Sequence, residues 1–398
     1  MPLPSYPFID SVSSDHCPRG MRLLEDGPVV RARTGTGAEE IEIWLALSHR
    51  AVRQVLGDAR FSRAAALEAE LPALLRVNNL PGVLTSLDPP VHTAFRRLMA
   101  GAFSPRMVRG LEPAIQRTTD GLLDALELPG DLIRPFTAAL PIMVICELLG
   151  VPHRDREQIR AWTFPLLSVH AHAQEELAAA LAAIASYVGE LIEERRRHPD
   201  SRLISAFVAT NDRERVMSDA ELVTNVQGLL LAGHEATVNQ ISNSLITLFA
   251  HPDQLALVKE RPELWPAAIE ELMRHSKMTD GILPRIALED IELEGTRVRA
   301  GEVVIPMVAV ANRDAAAFPD PYRLDLARPG SAAHLALGHG PHFCLGAQLA
   351  RMELKVALRS LFTRFPALAP SGPLDELRWK DGLIVRAAVE LPVELVAG

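Results

Sequence analysis

Apolar positions in this chain follow two spacings, one in its first fifty residues and another in most of the remainder. Around Gly35-Thr36-Gly37, apolar and polar residues alternate, which predicts a β-hairpin. From residue 48 onward, apolar residues recur three and four positions apart, as on one face of an α-helix. This spacing predicts helices near residues 48–57, 90–101, 105–127, 138–149, 175–197, 219–250, 263–275 and 346–364.

Two later stretches predict small β elements. In residues 291–306, Glu294-Gly295 supplies a turn and Val303-Val304-Ile305 supplies a strand. Residues 371–396 show a similar pattern of turn and strand residues. Because helices dominate, we expect a mainly α fold with small β-sheets. The chain lacks the strand and helix alternation of a Rossmann fold, and Gly35-Thr36-Gly37 lacks the third glycine and the following helix of a dinucleotide-binding fingerprint.

Composition and charge narrow the class of protein. The chain has 398 residues, 48% hydrophobic and 23% charged, and no linker-like tract, so we expect a single domain over residues 1–398. A net charge of −9 argues against a nucleic-acid partner. Three cysteines are too few for a disulfide framework, and neither a signal peptide nor a long apolar run is visible. We therefore expect a cytoplasmic monomer without a membrane anchor.

Residues 337–347 place one cysteine, Cys344, among glycines directly before a predicted helix. Gly338, Gly340 and Gly346 allow positive φ angles and a close approach of the backbone to a flat ligand. A thiolate at the start of a helix would be stabilised by the helix dipole and by backbone N–H groups. The pattern is typical of a sulfur that binds a metal.

Two other interpretations of Cys344 stay open at this point. Most lone cysteines are small buried hydrophobic residues. A zinc site could combine Cys344 with nearby histidines, although their spacing is not that of a paired zinc signature. These histidines are His334, His339 and His342.

The cysteine loop resembles that of the cytochrome P450 family, whose pattern is Phe-Gly-x-Gly-x-His-x-Cys-x-Gly. The matching residues are Gly338, Gly340, His342, Cys344 and Gly346. Leu337 replaces the family's phenylalanine, which should alter the packing beside the sulfur. The resemblance implies the cytochrome P450 fold, a triangular helical prism around haem b (iron protoporphyrin IX), with Cys344 as the axial ligand of the iron. Such a thiolate donates electron density to iron and favours O–O cleavage.

A second motif of the same family lies upstream. Glu271-Leu272-Met273-Arg274 matches Glu-x-x-Arg, with both charges on one face of a predicted helix. Alone, such a pair is usually a solvated surface contact. The resemblance implies instead that Glu271, Arg274 and Arg323 form a buried network that holds the scaffold of the cysteine loop.

The predicted helix over residues 219–250 contains polar residues inside an apolar run. Alone, they favour a polar stripe that faces solvent. The segment resembles the family's Ala-Gly-x-Asp/Glu-Thr motif, which implies that Glu235 relays protons and that Gly233 lets the helix widen over the haem. Ala236 stands where the family has threonine, and Thr237 is rotated by about 100° around the helix. We expect ordered water or a substrate hydroxyl to replace the missing group.

A fourth match concerns the carboxylates of haem. Residues 88–97 match the family's helix opening, in which histidine and arginine meet a haem propionate. His92 and Arg96 are four residues apart, which puts both donors on one helical face suited to a carboxylate. The same resemblance assigns Arg285 and His342 to the propionates. Taken singly, each of these residues is more often a surface residue.

The resemblance also implies a substrate pocket formed near residues 67–85, 163–180 and 277–284. The candidate lining residues are Leu80, Val83, Leu84, Leu166, Leu167, Ala232, Ile282 and Leu283. Taken singly, each could equally belong to the ordinary core. Their apolar character predicts a lipophilic substrate.

The function implied by the resemblance is a monooxygenase that inserts one oxygen atom from O2 into a polyketide, macrolide or terpenoid. No flavin or nicotinamide domain is fused to the chain, so ferredoxin and ferredoxin reductase are the expected electron donors, received by basic residues near the cysteine. Two alternatives stay open. One is an oxidative coupling or desaturation by the same family, and the other is a haem-binding sensor without turnover.

Overall fold

The computed structural model describes residues 3–8, 16–72, 75, 81–103, 105–163, 174–279, 281, 283–380 and 386–396. The chain forms two compact units, each drawn from several parts of the sequence. Unit 1 comprises Met1–Thr93, Pro266–Ala347 and Leu383–Arg386, and unit 2 comprises Ala94–Trp265, Gln348–Gly382 and Ala387–Gly398. The single domain expected from the sequence stays a prediction.

Each stretch with helical apolar spacing forms a helix. The α-helices are α1 (Pro18–Asp26), α2 (His49–Gly57), α3 (Ala64–Glu68), α4 (Val91–Ala100), α5 (Pro105–Asp124), α6 (Ala139–Leu149), α7 (Arg156–Thr163), α8 (Gln174–Arg197), α9 (Leu203–Glu214), α10 (Asp219–Ala250), α11 (Pro252–Glu260), α12 (Trp265–His275), α13 (Val308–Ala311) and α14 (Ala347–Arg364). The other helices, α1, α3, α7, α9, α11 and α13, were not predicted.

Unit 1 is built on a five-stranded sheet. Its strands are β1 (Val29–Thr34), β2 (Ile41–Ala46), β3 (Phe61–Ser62), β5 (Arg285–Ala287) and β8 (Val303–Pro306), in the spatial order β1-β2-β8-β5-β3. Strands β1 and β2 pair antiparallel, with Val29 opposite Ala46 and Thr34 opposite Ile41. The predicted hairpin is therefore confirmed, and its Gly35-Thr36-Gly37 segment joins two strands.

Both faces of this sheet are buried. Leu45 pairs with Ile305 and belongs to one apolar cluster, whereas the neighbouring Ala46 and Val304 belong to another cluster. Because successive side chains point to opposite faces of a strand, the two clusters cover the two faces. The sheet thus holds Arg285, the first residue of β5, within packed structure.

A second hairpin of unit 1 was also predicted. It joins β6 (Ile291–Leu293) to β7 (Thr296–Val298) in antiparallel pairing. Its turn residues Glu294 and Gly295 have φ angles of +46° and +82°, as in a tight hairpin turn. The turn proposed for Glu294-Gly295 is confirmed.

Unit 2 is mainly helical, and α10 packs against α6 and α8. Ser218 and Glu221 form a capping box at the start of this 32-residue helix. A small sheet contains β4 (Gly130–Asp131), β10 (Pro392–Leu395) and β9 (Leu368–Pro370), in that spatial order. The prediction of a mainly α fold with small sheets is confirmed. Of the helices within the described ranges, none has the length and apolar character needed to cross a bilayer.

Candidate active site

The loop before Cys344 depends on glycines with left-handed backbone conformations. Gly338 has a φ angle of +76° and Gly340 one of +67°. A Cβ atom on Gly340 would lie 2.7 Å from both the carbonyl oxygen of Leu56 and Cα of Gly57. Glycine at position 340 is therefore required both by its φ angle and by the close approach of α2.

Cys344 lies three residues before the start of α14. Its N–H donates to the carbonyl oxygen of Leu337 at 2.8 Å, which closes the loop. Its side chain is partly exposed, whereas Cys17 and Cys146 are buried. A Cβ atom on Gly346 would meet no heavy atom within 4 Å. An accessible thiol with open space beside it, at the beginning of a helix, suits a sulfur that binds metal.

The other histidines near this loop have different neighbours. Nε2 of His334 lies 3.3 Å from Oε2 of Glu270, without hydrogen-bond alignment, and its Nδ1 accepts a hydrogen bond from the N–H of Ala336. His339 lies against Gly57, where a Cβ atom would be 3.2 Å from its Cδ2. In the part of the chain that the structure describes, no group of three or more His, Cys, Asp or Glu residues could hold a metal ion. The zinc interpretation therefore has no support.

Glu271 and Arg274 form an ion pair on α12 with both side chains 0% exposed. Nε and Nη2 of Arg274 donate to the two carboxylate oxygens of Glu271 at 2.7 and 2.8 Å. Nη1 of Arg274 donates to the carbonyl oxygens of Asn312 and Pro321 at 2.8 and 3.0 Å. The pair thus fixes the backbone between β8 and the cysteine loop.

Arg328, not Arg323, supplies the second guanidinium of this network. Nε of Arg328 donates to Oε1 of Glu271 at 2.9 Å. The side chain of Arg323 is exposed, and this residue takes part only through its carbonyl oxygen, which accepts hydrogen bonds from Arg328 at 2.7 Å and from Arg274 at 3.4 Å. The expectation for Arg323 is corrected because the turn points its backbone inward and its side chain outward.

Arg285 is a buried cation that lacks one partner. Its side chain is 3% exposed, and its Nη1 has no hydrogen-bond partner among the described residues. Burial lowers the pKa of Arg285 to about 9, and Arg63 lowers it as well, whereas Asp88 opposes the shift. A buried guanidinium with an unused N–H is suited to bind an anion.

His92 and His342, which the sequence separates widely, lie together. Their ring centroids are 4.3 Å apart, and the ring of His92 is buried. The N–H of His92 donates to the carbonyl oxygen of Asp88 at 2.9 Å, at the start of α4. Arg96 follows on the same helix and is half-buried. Unit 1 therefore brings together both histidines that the family resemblance assigned to haem carboxylates.

In unit 2, the middle of α10 has one exposed strip. Ala232 and Ala236 are exposed, while His234 and Thr237 are buried. Oγ1 of Thr237 donates to the carbonyl oxygen of Gly233 at 3.2 Å. The hydroxyl of Thr237 therefore bonds to its own helix, so it does not replace the group missing at Ala236.

Gly233 has a different consequence from the one expected. The helix is α-helical throughout and is not widened at this residue. A Cβ atom on Gly233 would lie 2.9 Å from Cδ1 of Ile145, so glycine here permits the close packing of α10 on α6. The structure therefore gives Gly233 a packing role in place of the expected widening of the helix.

Glu235 is half-buried and is influenced by one lysine that sequence reasoning missed. Burial raises the pKa of Glu235, and the charge of Lys380 opposes this rise. Burial lowers the pKa of Lys380, and Glu235 opposes that change. The N–H of Lys380 donates to the carbonyl oxygen of Ala387 at 2.8 Å. No local sequence pattern connects Lys380 with Glu235, because the two residues belong to distant segments.

The candidate pocket residues are partly described. Val83 and Leu283 are half-buried, Leu84 is buried in a short 3-10 helix, and Ala232 is exposed. The other candidates, which lie outside the described residues, are Leu80, Leu166, Leu167 and Ile282. The apolar lining thus stays a prediction.

Comparisons with known proteins agree on one family. The cytochrome P450 family model matches residues 157–390. Nocardicin C N-oxygenase of Nocardia uniformis subsp. tsuyamanensis is 44% identical over 98% of this chain and 98% of its own. Mycinamicin IV hydroxylase/epoxidase of Micromonospora griseorubida is 40% identical over 98% of each chain.

A solved structure extends this agreement to the fold. The LnmA cytochrome P450 hydroxylase from the leinamycin biosynthetic pathway of Streptomyces atroolivaceus superposes with a TM-score of 0.91 and 40% identity. The match covers 98% of this chain and 100% of that chain. Sequence, fold and cysteine loop lead to one conclusion: the chain belongs to the cytochrome P450 family and is a monooxygenase.

Proposed function

We propose that this monooxygenase inserts one oxygen atom from O2 into a lipophilic secondary metabolite, by hydroxylation or epoxidation. The substrate class is a polyketide, macrolide or terpenoid. Two observations support the oxygenation of a lipophilic secondary metabolite. Relatives of 44% and 40% identity are named for oxygenating nocardicin C and mycinamicin IV, and the candidate pocket residues are apolar. The proposed location is the cytoplasm.

The observation that carries this proposal is the accessible thiol of Cys344 in its glycine loop. The residues present fit haem b, the cofactor implied by the family. The unpartnered Nη1 of Arg285 and the close rings of His92 and His342 are suited to the carboxylates of haem. Bound haem supplies the iron at which O2 is activated.

Each remaining residue has a proposed task toward this group. Cys344 binds the iron through Sγ, and Arg96 joins the other donors to the carboxylates. Gly338 and Gly346 leave room for the flat macrocycle. The ion pair of Glu271 and Arg274, with Arg328, holds the scaffold of the loop.

Proton delivery is the proposed task of α10. Glu235 holds and releases a proton at its carboxyl group, which burial keeps at a raised pKa. Ala236 offers no hydroxyl, and that of Thr237 bonds to Gly233. Ordered water or a hydroxyl of the substrate therefore completes the path.

A ferredoxin, reduced by a ferredoxin reductase, is the proposed electron donor. Positive charge near the cysteine loop supports an acidic partner, because Arg53 of α2 is exposed and its charge acts on His339 of the loop. An exposed cation at such a surface accelerates the encounter with an acidic protein at low salt.

The first test is the difference spectrum of the protein after reduction with dithionite and addition of carbon monoxide. A strongly red-shifted Soret band is expected in the wild type and in the control Cys146→Ala, and it should vanish in Cys344→Ala. A histidine-type haem spectrum, or a protein without haem, would overturn the proposal. Substrate screening with ferredoxin and its reductase then follows.

One observation also agrees with a second reaction of the same family. The absence of a hydroxyl at Ala236 is compatible with oxidative coupling or desaturation, in which no oxygen atom stays in the product. Mass spectrometry in 18O2 separates the two reactions. A product that gains labelled oxygen supports monooxygenation, and one that loses two hydrogens supports the alternative.

A further inference from the structure

A buried arginine outside the motifs described above lies next to Arg285. Arg63 precedes α3 directly, and its side chain is fully buried, with 0% exposure. Nη1 of Arg63 donates to the carbonyl oxygen of Pro284 at 2.7 Å. This carbonyl belongs to the peptide bond that joins Pro284 to Arg285. Arg63 therefore fixes the peptide unit from which the side chain of Arg285 projects.

The same arginine also fixes the segment that leads to His92. Nε of Arg63 donates to the carbonyl oxygen of Thr85 at 3.1 Å, and its backbone N–H donates to Oδ1 of Asp88 at 2.9 Å. The carbonyl oxygen of Asp88 in turn accepts the N–H of His92 at 2.9 Å. Residue 63 thus connects the two segments that carry the donors proposed for the haem carboxylates.

Asp88 is held in place from the same side. Its Oδ2 accepts hydrogen bonds from the hydroxyl of Ser62 and from the N–H of Ala64, the latter at 3.3 Å. The hydroxyl of Ser62 and the N–H groups of Arg63 and Ala64 therefore all donate to the carboxylate of Asp88, and together they form one rigid junction. A junction of this kind positions a side chain more precisely in space than a solvent-exposed loop does.

Two buried guanidinium groups meet at this junction. Arg63 and Arg285 both interact with the charge of Asp88, and the charge of Arg63 also acts on Arg285. Burial lowers the pKa of Arg63 to about 10, which reflects the cost of keeping this charge out of water. A carboxylate bound at the unpartnered Nη1 of Arg285 would give this buried guanidinium an anionic partner.

We propose that Arg63 is a positioning residue for haem: it holds Arg285 in the orientation in which its guanidinium binds a haem carboxylate. This inference rests on the proposed function, because it requires that Arg285 binds a propionate. It adds a residue that none of the matched motifs contains.

The test is the rate at which the ferric holoprotein loses haem to excess apomyoglobin. Arg63→Gln removes the charge and the hydrogen bond from Nη1 to the carbonyl oxygen of Pro284, so haem loss should become about tenfold faster. Arg63→Lys retains the charge and should lie between Arg63→Gln and the wild type. The matched control is Arg313→Gln, because Arg313 is equally buried but donates to the carbonyl oxygen of His275 at 2.8 Å.

A double-mutant cycle distinguishes positioning from a general loss of stability. If Arg63 acts through Arg285, adding Arg63→Gln to Arg285→Gln should change the rate less than about twofold, because the shared interaction is already lost. Three outcomes would overturn the inference. The effects of the two substitutions on the rate of haem loss multiply fully, Arg63→Gln leaves this rate unchanged, or Arg313→Gln accelerates haem loss to the same degree. If Arg63→Gln does not retain haem during purification, the cycle is measured with Arg63→Lys.

The result also separates this inference from the proposed function. A wild-type protein without thiolate-bound haem contradicts the proposed function, whatever Arg63 does. A wild-type protein with the expected spectrum, combined with unchanged haem loss in the variants of Arg63, contradicts only the positioning role.

Discussion

Arg328 donates to Oε1 of Glu271 across a distance of 2.9 Å, although 57 positions of the chain separate the two residues. Its guanidinium also donates to the carbonyl oxygens of Pro319, Asp320 and Arg323, so one side chain closes the turn that follows α13. The side chain of Arg328 is only 9% exposed. Glu271 therefore accepts charged donors from both Arg274 and Arg328.

Replacing Arg328 should destabilise the protein much more than replacing Arg323. Arg328→Met removes several hydrogen bonds to a buried carboxylate and to carbonyl groups, so the free energy of unfolding should fall by about 3 kcal/mol. Arg323→Met removes an exposed side chain and should change it by less than about 0.5 kcal/mol. Urea denaturation followed by circular dichroism measures both. Equal losses in the two variants would contradict the assignment.

The long helices were predictable because their signals are local and repeated. In α10, the capping box of Ser218 and Glu221 marks the start, and apolar residues recur along the whole helix. Short helices such as α3 and α13 span about one turn, so no periodicity can develop. Their stability comes from tertiary packing, which the local sequence does not encode.

The candidate site was predictable only where its residues belong to a compact motif. Cys344 and Glu271 were found in this way, whereas Arg328, Lys380 and Arg63 were missed. Each missed residue acts on a partner that is distant along the chain. Arg63, for example, has the same local sequence character as its neighbour Arg60, which is exposed and pairs with Asp58.

A buried carboxyl group in α14 should make stability depend on pH. Glu353 is 2% exposed, its Oε2 has no hydrogen-bond partner among the described residues, and burial raises its pKa well above 4.5. Between the ordinary pKa and the raised one, the native state binds a proton that the unfolded state lacks. The contribution of Glu353 to stability therefore decreases as the pH rises through this interval.

Glu353→Gln removes this titration and should be more stable than the wild type at pH 7, by about 1 kcal/mol or more. Below about pH 4 the advantage should disappear, because Glu353 is then protonated in both states. Denaturation midpoints at several pH values measure the difference. The matched control is Glu394→Gln, at an exposed position of β10. An advantage that persists in acid would exclude Glu353 as its source.

Lys380 should control the pH at which Glu235 ionises. Burial raises the pKa of Glu235, and Lys380 lowers it, so Lys380→Met should raise this pKa further. Because Glu235 must hold a proton in order to release it, the fall in product formation that follows its ionisation should then move to higher pH. The measurement is product formed per electron pair consumed, recorded across pH. Arg378→Met, which breaks only an exposed ion pair with Glu390, is the control and should leave the profile unchanged.

The exposed strip of α10 permits a test of how the missing hydroxyl is replaced. If ordered water or a substrate hydroxyl occupies the space beside Ala236, a larger side chain displaces it. Ala236→Thr should therefore lower the fraction of electrons that reach product, and Ala236→Val, of nearly the same shape but without a hydroxyl, should lower it to a similar degree. Product and hydrogen peroxide are quantified together for each variant. Coupling in Ala236→Thr that equals or exceeds that of the wild type would contradict the hypothesis, since the added hydroxyl would then perform the task assigned to water or substrate.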